Sequence, residues 1–114
     1  MSDTTFPREA RITRADEFAR VRKHGQRARS GSLLLSFVGG RSKRVGVILT
    51  RKIGNAVARN RIRRVIREFF RVHRTCFPAG DCVVIPQVGA AKASNDELRD
   101  FLRKGLLKLG KGNR

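Results

Sequence analysis

Between Phe18 and Arg67 the chain has no aspartate or glutamate, although those 50 residues hold 15 Lys or Arg. A surface built only for solubility mixes charges of both signs, so this one asks for another explanation. Over all 114 residues, nine acids face 27 basic side chains, and the formal net charge is +18. Such an imbalance costs stability through self-repulsion and implies a polyanionic partner. Nucleic acid fits best; an anionic membrane surface fits less well.

Long apolar runs are missing too. The longest, "LLLSFV" from Leu33 to Val38, is the length of a strand and too short to span a membrane. The opening "MSDTTFPREAR" lacks the apolar core of a secretory signal, so a cytoplasmic location without membrane attachment is expected. Trp and Tyr are absent, and seven Phe are the only aromatics. With 39% apolar residues, the chain can build one modest core. A single RNA-binding domain over residues 1–114 is expected, with flexible ends at about 1–10 and 110–114.

Metal and nucleophile chemistry finds little support. Cys76 and Cys82, in "CFPAGDC", are the only cysteines. With His73 they make three possible ligands, one short of a closed zinc site, and no CxxC pair exists. They read as a thiol at each end of a turn. A metal-assisted nuclease needs clustered carboxylates to hold magnesium. Asp16–Glu17, Glu68, Asp81 and Asp96–Glu97–Asp100 form no such motif. His24 and His73 could serve a metal-free ribonuclease only if both reached one site. No catalytic residue is assigned in this chain, and metal-binding residues are left open.

Local pattern gives the elements. "TRADEFARVRKHG" reads as a helix capped by Thr13 with Asp16 three residues on and stopped by Gly25. Ala15, Phe18, Ala19 and Val21 or Arg22 share its apolar side. "QRAR" is a candidate edge strand. "GSLLLSFVGG" and "SKRVGVILT" are strands joined by a connection short enough for a hairpin. A long helix begins near Asn55, a reasonable cap. Its core face is expected from Ala58, Ile62, Val65 or Ile66, Phe69 and Val72. "CVVIP" is a short buried strand after a "FPAGD" turn. Ser94 with Glu97 forms a capping box that opens a last helix from Asn95 to about Leu109, with Leu98, Phe101, Leu102, Leu106 and Leu109 on one face. Layer logic then places an antiparallel or mixed sheet under helices.

The long helix carries the dense charge. Arg59, Arg63, Arg67 and Arg71 recur at spacings of four, with Arg61 and Arg64 flanking. Residues four apart stack along one side of a helix, where like charges repel. A polyanion relieves that repulsion. Arginine suits the task, because its planar fork grips a phosphate with two hydrogen bonds or stacks on a base. A merely solvated face would interleave acids, and this face does not.

"RKIGNAVARNRIRRVIREFFR", from Arg51 to Arg71, resembles the signature of the bacterial ribonuclease P protein component. "RNR" at Arg59, Asn60 and Arg61 matches the family's central motif. Lys52, Gly54, Ala56 and Val57 match the run before it. "RITRADEFARVRKHG", "RVGVILTRK" and "DCVVIP" with its trailing helix extend the resemblance over roughly residues 11 to 109. It implies an α+β fold, a compact α/β sandwich of order α-β-β-β-α-β-α with a left-handed β-α-β crossover. The general rule favours the opposite hand. It also implies the small subunit of a ribonucleoprotein endoribonuclease that removes the 5′ leader of precursor tRNA. The catalytic RNA would carry the magnesium-dependent hydrolysis, with Mg2+ mainly RNA-bound. Partners would be that RNA and precursor tRNA, with no obligate protein partner evident.

By the same resemblance Arg51, Lys52, Asn55, Arg59, Asn60, Arg61, Arg63, Arg64 and Arg67 contact the catalytic RNA, Asn60 being expected buried among arginines. Phe18 lines a leader cleft between the first helix and the sheet. Arg22 and Ser36 occupy cleft positions where many relatives carry aromatics. Stacking is weakened there, at about 1–3 kcal/mol per base. A ribosomal protein or RNA chaperone, binding structured RNA without a catalytic role, is the competing reading from composition.

Overall fold

The computed structural model describes residues 8–112. Its regular elements are α1 (Ala15–His24), β1 (Gln26–Ser30), β2 (Leu33–Gly39), β3 (Lys43–Val47), α2 (Ala56–Val72), β4 (Gly80–Pro86) and α3 (Asn95–Gly112). The order is the expected α-β-β-β-α-β-α, edge strand β1 included. Short 3-10 turns at Arg8–Ala10, Arg74–Cys76 and Ala90–Lys92 join them.

The sheet runs β1-β2-β4-β3. β2 pairs antiparallel with both β1 and β4, and β3 pairs parallel with β4. The expected β2–β3 hairpin is therefore absent. A three-residue connection permits two strands to be neighbours but does not oblige them. β4 is buried along nearly its whole length, so it takes a central position with a partner on each edge. The chain accommodates it at the connection itself: Gly80 N donates to Ser42 O at 2.9 Å, and Gly40 N donates to Ala79 O at 3.2 Å. α2 is consequently the crossover between the parallel strands β3 and β4.

Alternation along the strands splits the core in two. Leu33, Leu35, Phe37, Val45, Cys82 and Val84 face α2 and α3 in the larger core. Val83 and the partly buried Val38, Ile48 and Ile85 face the other way, where Ile12, Phe18 and Val21 cover them. The sheet is thus sandwiched between α1 on one face and α2 with α3 on the other.

Helix ends and faces refine the expectations. α1 starts after Arg14, with no side-chain cap, so Thr13 does not cap it. Asp16 instead pairs with Arg14 Nε at 3.2 Å. Gly25 does end α1, but its φ is −78°. It is required by close approach, since a Cβ there would lie 2.3 Å from Val21 O and 2.5 Å from Ser36 Oγ. Asn55 caps α2 as expected, Oδ1 accepting from Ala58 N at 2.9 Å. The Ser94–Glu97 box closes reciprocally, at 2.8 and 3.0 Å.

On α2, the buried arc is Ile62, Val65, Ile66, Phe69 and Phe70. Val72 is 57% exposed, and Phe70 replaces it in the core. Phe70 continues the i, i+4, i+8 row from Ile62 and meets Phe77 edge-on, ring centroids 4.8 Å apart. The start of the chain is ordered earlier than expected. Ala10 is fully buried, and Ile12 N donates to Val45 O at 3.0 Å. The expectation of flexibility for 1–7 and for 113–114 lies outside the described residues, and α3 runs to Gly112 rather than ending near Leu109.

Candidate nucleic-acid interface

Two surfaces carry the side chains singled out in the sequence. The first is α2 with the turn that leads into it. Arg51, Lys52 and Asn55 are exposed in that turn, and Asn60 and Arg64 are exposed on the outer face of α2. Arg59, Arg63 and Arg67 form a half-buried row beside them. Among the described residues Glu68 is the only acid of α2, and it is held by Arg71 at 2.7 Å. That bond, the largest influence, pulls the Glu68 carboxyl below its ordinary range.

The positive charge is crowded enough to affect ionisation. Partial burial lowers the pKa of Arg67, and Arg11 and Arg63 add to the effect as like charges. Arg11 thus joins the basic surface from the segment before α1. Nothing in the sequence pattern singled it out, because only folding along β3 brings it to α2. Arg59 contributes a Nε that is buried without a hydrogen-bond partner.

Two residues of the "RNR" motif make side-chain contacts within the chain. Asn60 is exposed rather than buried, and its Oδ1 accepts from Arg63 NH1 at 3.0 Å. It orients a neighbouring guanidinium on the surface. Arg61 points the other way, toward the start of α3. Its NH1 donates to Asn95 Oδ1 at 2.7 Å, and its NH2 to Ala91 O at 2.9 Å and Ala93 O at 3.1 Å.

The second surface is the cleft between α1 and the sheet. Phe18 packs against β3, where a Cβ on Gly46 would sit 2.5 Å from its ring. Only glycine permits that approach. Ile48 and Ile85 are partly exposed beside it. Arg22 is exposed one turn after Phe18, with Arg27 NH2 donating to its carbonyl at 2.8 Å. Ser36 does not open onto the cleft. It is fully buried, and its Oγ donates to Val21 O at 2.8 Å. The hydroxyl pins α1 to β2 instead.

An ion cluster closes one end of that cleft. Asp81, 6% exposed, accepts from Arg44 Nε at 2.8 Å and NH2 at 2.7 Å, and from Arg20 NH2 at 2.8 Å. Arg44 NH2 also donates to Glu17 Oε2 at 3.1 Å. The Asp81 bonds, the largest influence, raise the Arg44 pKa above its ordinary value. Sequence reasoning missed this cluster. Its one signal was Asp81, a lone acid opening an otherwise apolar strand.

The carboxylates do not suit a protein-held magnesium ion. Asp81 and Glu17 are engaged by arginines, Asp96 pairs with Arg99 and Asp100 with Lys104, and Glu97 caps α3. Among the described residues no three His, Cys, Asp or Glu side chains gather into a metal-binding group. His24, at the end of α1, and His73, at the end of α2, belong to elements on opposite faces of the sheet. Among the same residues no helix is long and apolar enough to cross a membrane.

Comparison with known proteins agrees with the fold. The family model described as Ribonuclease P matches residues 6–110. A ribonuclease P protein component of Syntrophobacter fumaroxidans is 34% identical over 111 residues, covering 93% of each chain. That of Syntrophus aciditrophicus is 37% identical over 106 residues, covering 91% of this chain and 87% of the other. The solved RNase P protein of Staphylococcus aureus superposes with a TM-score of 0.81 at 30% identity, covering 90% of this chain and 95% of that one. The Thermotoga maritima protein gives 0.77 at 28% identity, with 86% and 96% covered. With the sandwich, the strand order and the arginine-lined crossover helix in place, the chain belongs to the ribonuclease P protein component family.

Proposed function

We propose that this chain is the RNA-binding subunit of a ribonucleoprotein that removes the 5′ leader of precursor tRNA. The observation that carries the reading is the charge arrangement on α2. An outer face with Arg64, a flanking row of Arg59, Arg63 and Arg67, and a turn bearing Arg51 and Lys52 meet a single acid, itself paired. Such a surface suits a structured RNA backbone, since phosphate contacts supply most of the affinity and position the partner. The catalytic RNA is the partner assigned to it.

The α1 cleft is assigned to the leader. Its lining is mostly apolar, with Phe18 as a stacking platform and Arg22 at its rim. A single strand suits it, because stacking on an aromatic tolerates any base. The reaction is hydrolysis of a phosphodiester, and this chain supplies binding and orientation rather than acid–base groups. Magnesium belongs with the RNA in this reading, in keeping with carboxylates already committed to cations. A cytoplasmic site of action follows from tRNA as substrate.

Reconstitution tests the proposal. Labelled precursor tRNA is incubated in magnesium with the catalytic RNA of the same genome, with the protein, and with both. Leader release by the RNA should increase when the protein is added at moderate salt, and the protein alone should release none. Leader release by RNA-free protein, in proportion to its amount, would overturn the division of labour. Recovery of ribosomal RNA rather than one abundant structured species on affinity capture would favour the ribosomal or chaperone reading.

A further inference from the structure

We infer that Arg61, the second arginine of the "RNR" motif, is a positioning residue that clamps the β4–α3 connection onto α2, and is not itself an RNA ligand. The inference rests on the RNA-binding reading of α2 given above. Both terminal nitrogens of Arg61 are committed, to two carbonyls and one side-chain oxygen between Ala91 and Asn95. A planar fork with donors in fixed directions can satisfy all three together, whereas an ammonium is a single point of charge. Those carbonyls lie in a 3-10 turn and in the connection just before α3, outside any helical hydrogen-bond ladder.

The clamp reaches the basic turn at the start of α2. Ala90 is fully buried in the same core as Ile53. A Cβ added to Gly54 would lie 3.5 Å from Ala91 Cβ, so the two segments are in contact. The Ala90–Lys92 turn also packs on α2. Holding residues 91–95 against α2 therefore steadies the segment that packs beside Ile53 and Gly54, the backbone from which Arg51, Lys52 and Asn55 project. Loss of the clamp should loosen the direction of these side chains without removing any charge that meets RNA.

Five substitutions separate this from direct contact: Arg61→Gln, Arg61→Lys, Asn95→Ala, Arg64→Ala and Arg51→Ala. Dissociation constants for the catalytic RNA are measured over a salt series, at a temperature where circular dichroism shows each variant folded. Arg61→Gln and Arg61→Lys should both weaken binding about fivefold or more, within the range for residues sharing one network. Their salt slopes should stay at the wild-type value, whereas Arg64→Ala should lower the slope by about one. Asn95→Ala removes no charge, yet should weaken binding in the same direction. Arg51→Ala should cost less in the Arg61→Gln background than in wild type. A role in stability alone would leave the affinity of the folded variants unchanged. Arg61→Lys binding within twofold of wild type, or a slope lowered by one in Arg61→Gln, would overturn the inference. Hydrogen exchange on the free protein gives a readout independent of RNA. The amides of Lys92, Ala93 and Ser94 should exchange faster in Arg61→Lys, and unchanged exchange would overturn the clamp. Wild-type protein with no affinity for the RNA would instead overturn the proposed function, and the exchange result would still decide the clamp.

Discussion

Arg44 of β3 grips Asp81 of β4 through two nitrogens, at 2.8 and 2.7 Å, across the parallel pair of strands. The grip also binds α1 to the sheet, because Arg20 and Glu17 of that helix join the same cluster. The two partners are not equally dependent on each other. The Asp81 side chain is 8% exposed and the Arg44 side chain 23%, and Arg44 keeps Glu17 if Asp81 is lost.

Arg44→Met should therefore destabilise more than Asp81→Asn. Removing Arg44 leaves a buried carboxylate with Arg20 alone, whereas removing the Asp81 charge leaves an arginine that still reaches solvent and Glu17. Hydrogen bonds to charged groups contribute about 1.5–3 kcal/mol, so a loss of about 2 kcal/mol is expected for Arg44→Met. Urea unfolding checks this: the midpoint should fall with the slope unchanged. The double variant should recover part of the loss, because no unpaired charge is then buried.

The two cysteines should respond differently to thiol reagents. Cys76 is exposed, whereas Cys82 is buried at the centre of the sheet. Burial pushes the Cys82 thiol up to about 12, from an ordinary value of 9.0. In the unfolded chain the thiol ionises near its ordinary value, and in the folded protein it stays neutral until about 12. Its contribution to stability is thus complete below pH 9 and declines as pH rises toward 12. Under native conditions one thiol should label rapidly, and mass spectrometry should place it at Cys76. Prompt labelling of Cys82 at neutral pH would contradict its placement in the core.

The elements were legible in the sequence because their signals are local. Asn55, and Ser94 with Glu97, are caps that act within one turn, and the leucines of α3 keep helical spacing. Strand order was not legible. Whether β3 pairs with β2 or with β4 is settled by a competition for the centre of the sheet, and a short connection carries no record of the winner. The candidate site divides along the same line. Exposed Arg51, Lys52 and Arg64 could be read from charge alone. Ser36 and Arg61 could not, because each spends its polar atoms on a distant segment, Val21 for one and Ala91–Asn95 for the other.

Arg64→Ala should weaken assembly with the catalytic RNA more than Lys104→Ala. Arg64 is exposed at the centre of the arginine field, and Lys104 lies on α3 beside Asp100, at 3.0 Å. Lys108 is a poorer control than its place near the chain end suggests, because its Nζ donates to Arg29 O at 2.6 Å. Each lost phosphate contact should lower the salt slope by about one. Equal losses for Arg64 and Lys104 across a salt series would mean that net charge, rather than the α2 surface, governs binding.

Arg22 should carry part of the leader binding that an aromatic would otherwise provide. It follows Phe18 by one helical turn, so both side chains project from the same side of α1. Ser36 is buried and cannot share the task. The floor beside Phe18 is aliphatic, at Ile48 and Ile85, so among the described residues Phe18 is the one ring that offers stacking there. A guanidinium at the rim can meet a phosphate of the leader or stack on a base. With the holoenzyme assembled, Arg22→Ala should weaken binding of precursor tRNA about threefold to tenfold. A well-formed charge-assisted bond would be worth about 1.5–3 kcal/mol, but Arg22 is exposed and screened. Affinity for mature tRNA, which has no leader, should not change. Arg22→Phe should restore part of the loss through stacking, with a shallower dependence on salt than wild type. Equal weakening toward both tRNAs would place Arg22 at the tRNA body or the catalytic RNA. Wild-type affinity of both variants for both ligands would leave leader binding to Phe18 and the cleft floor.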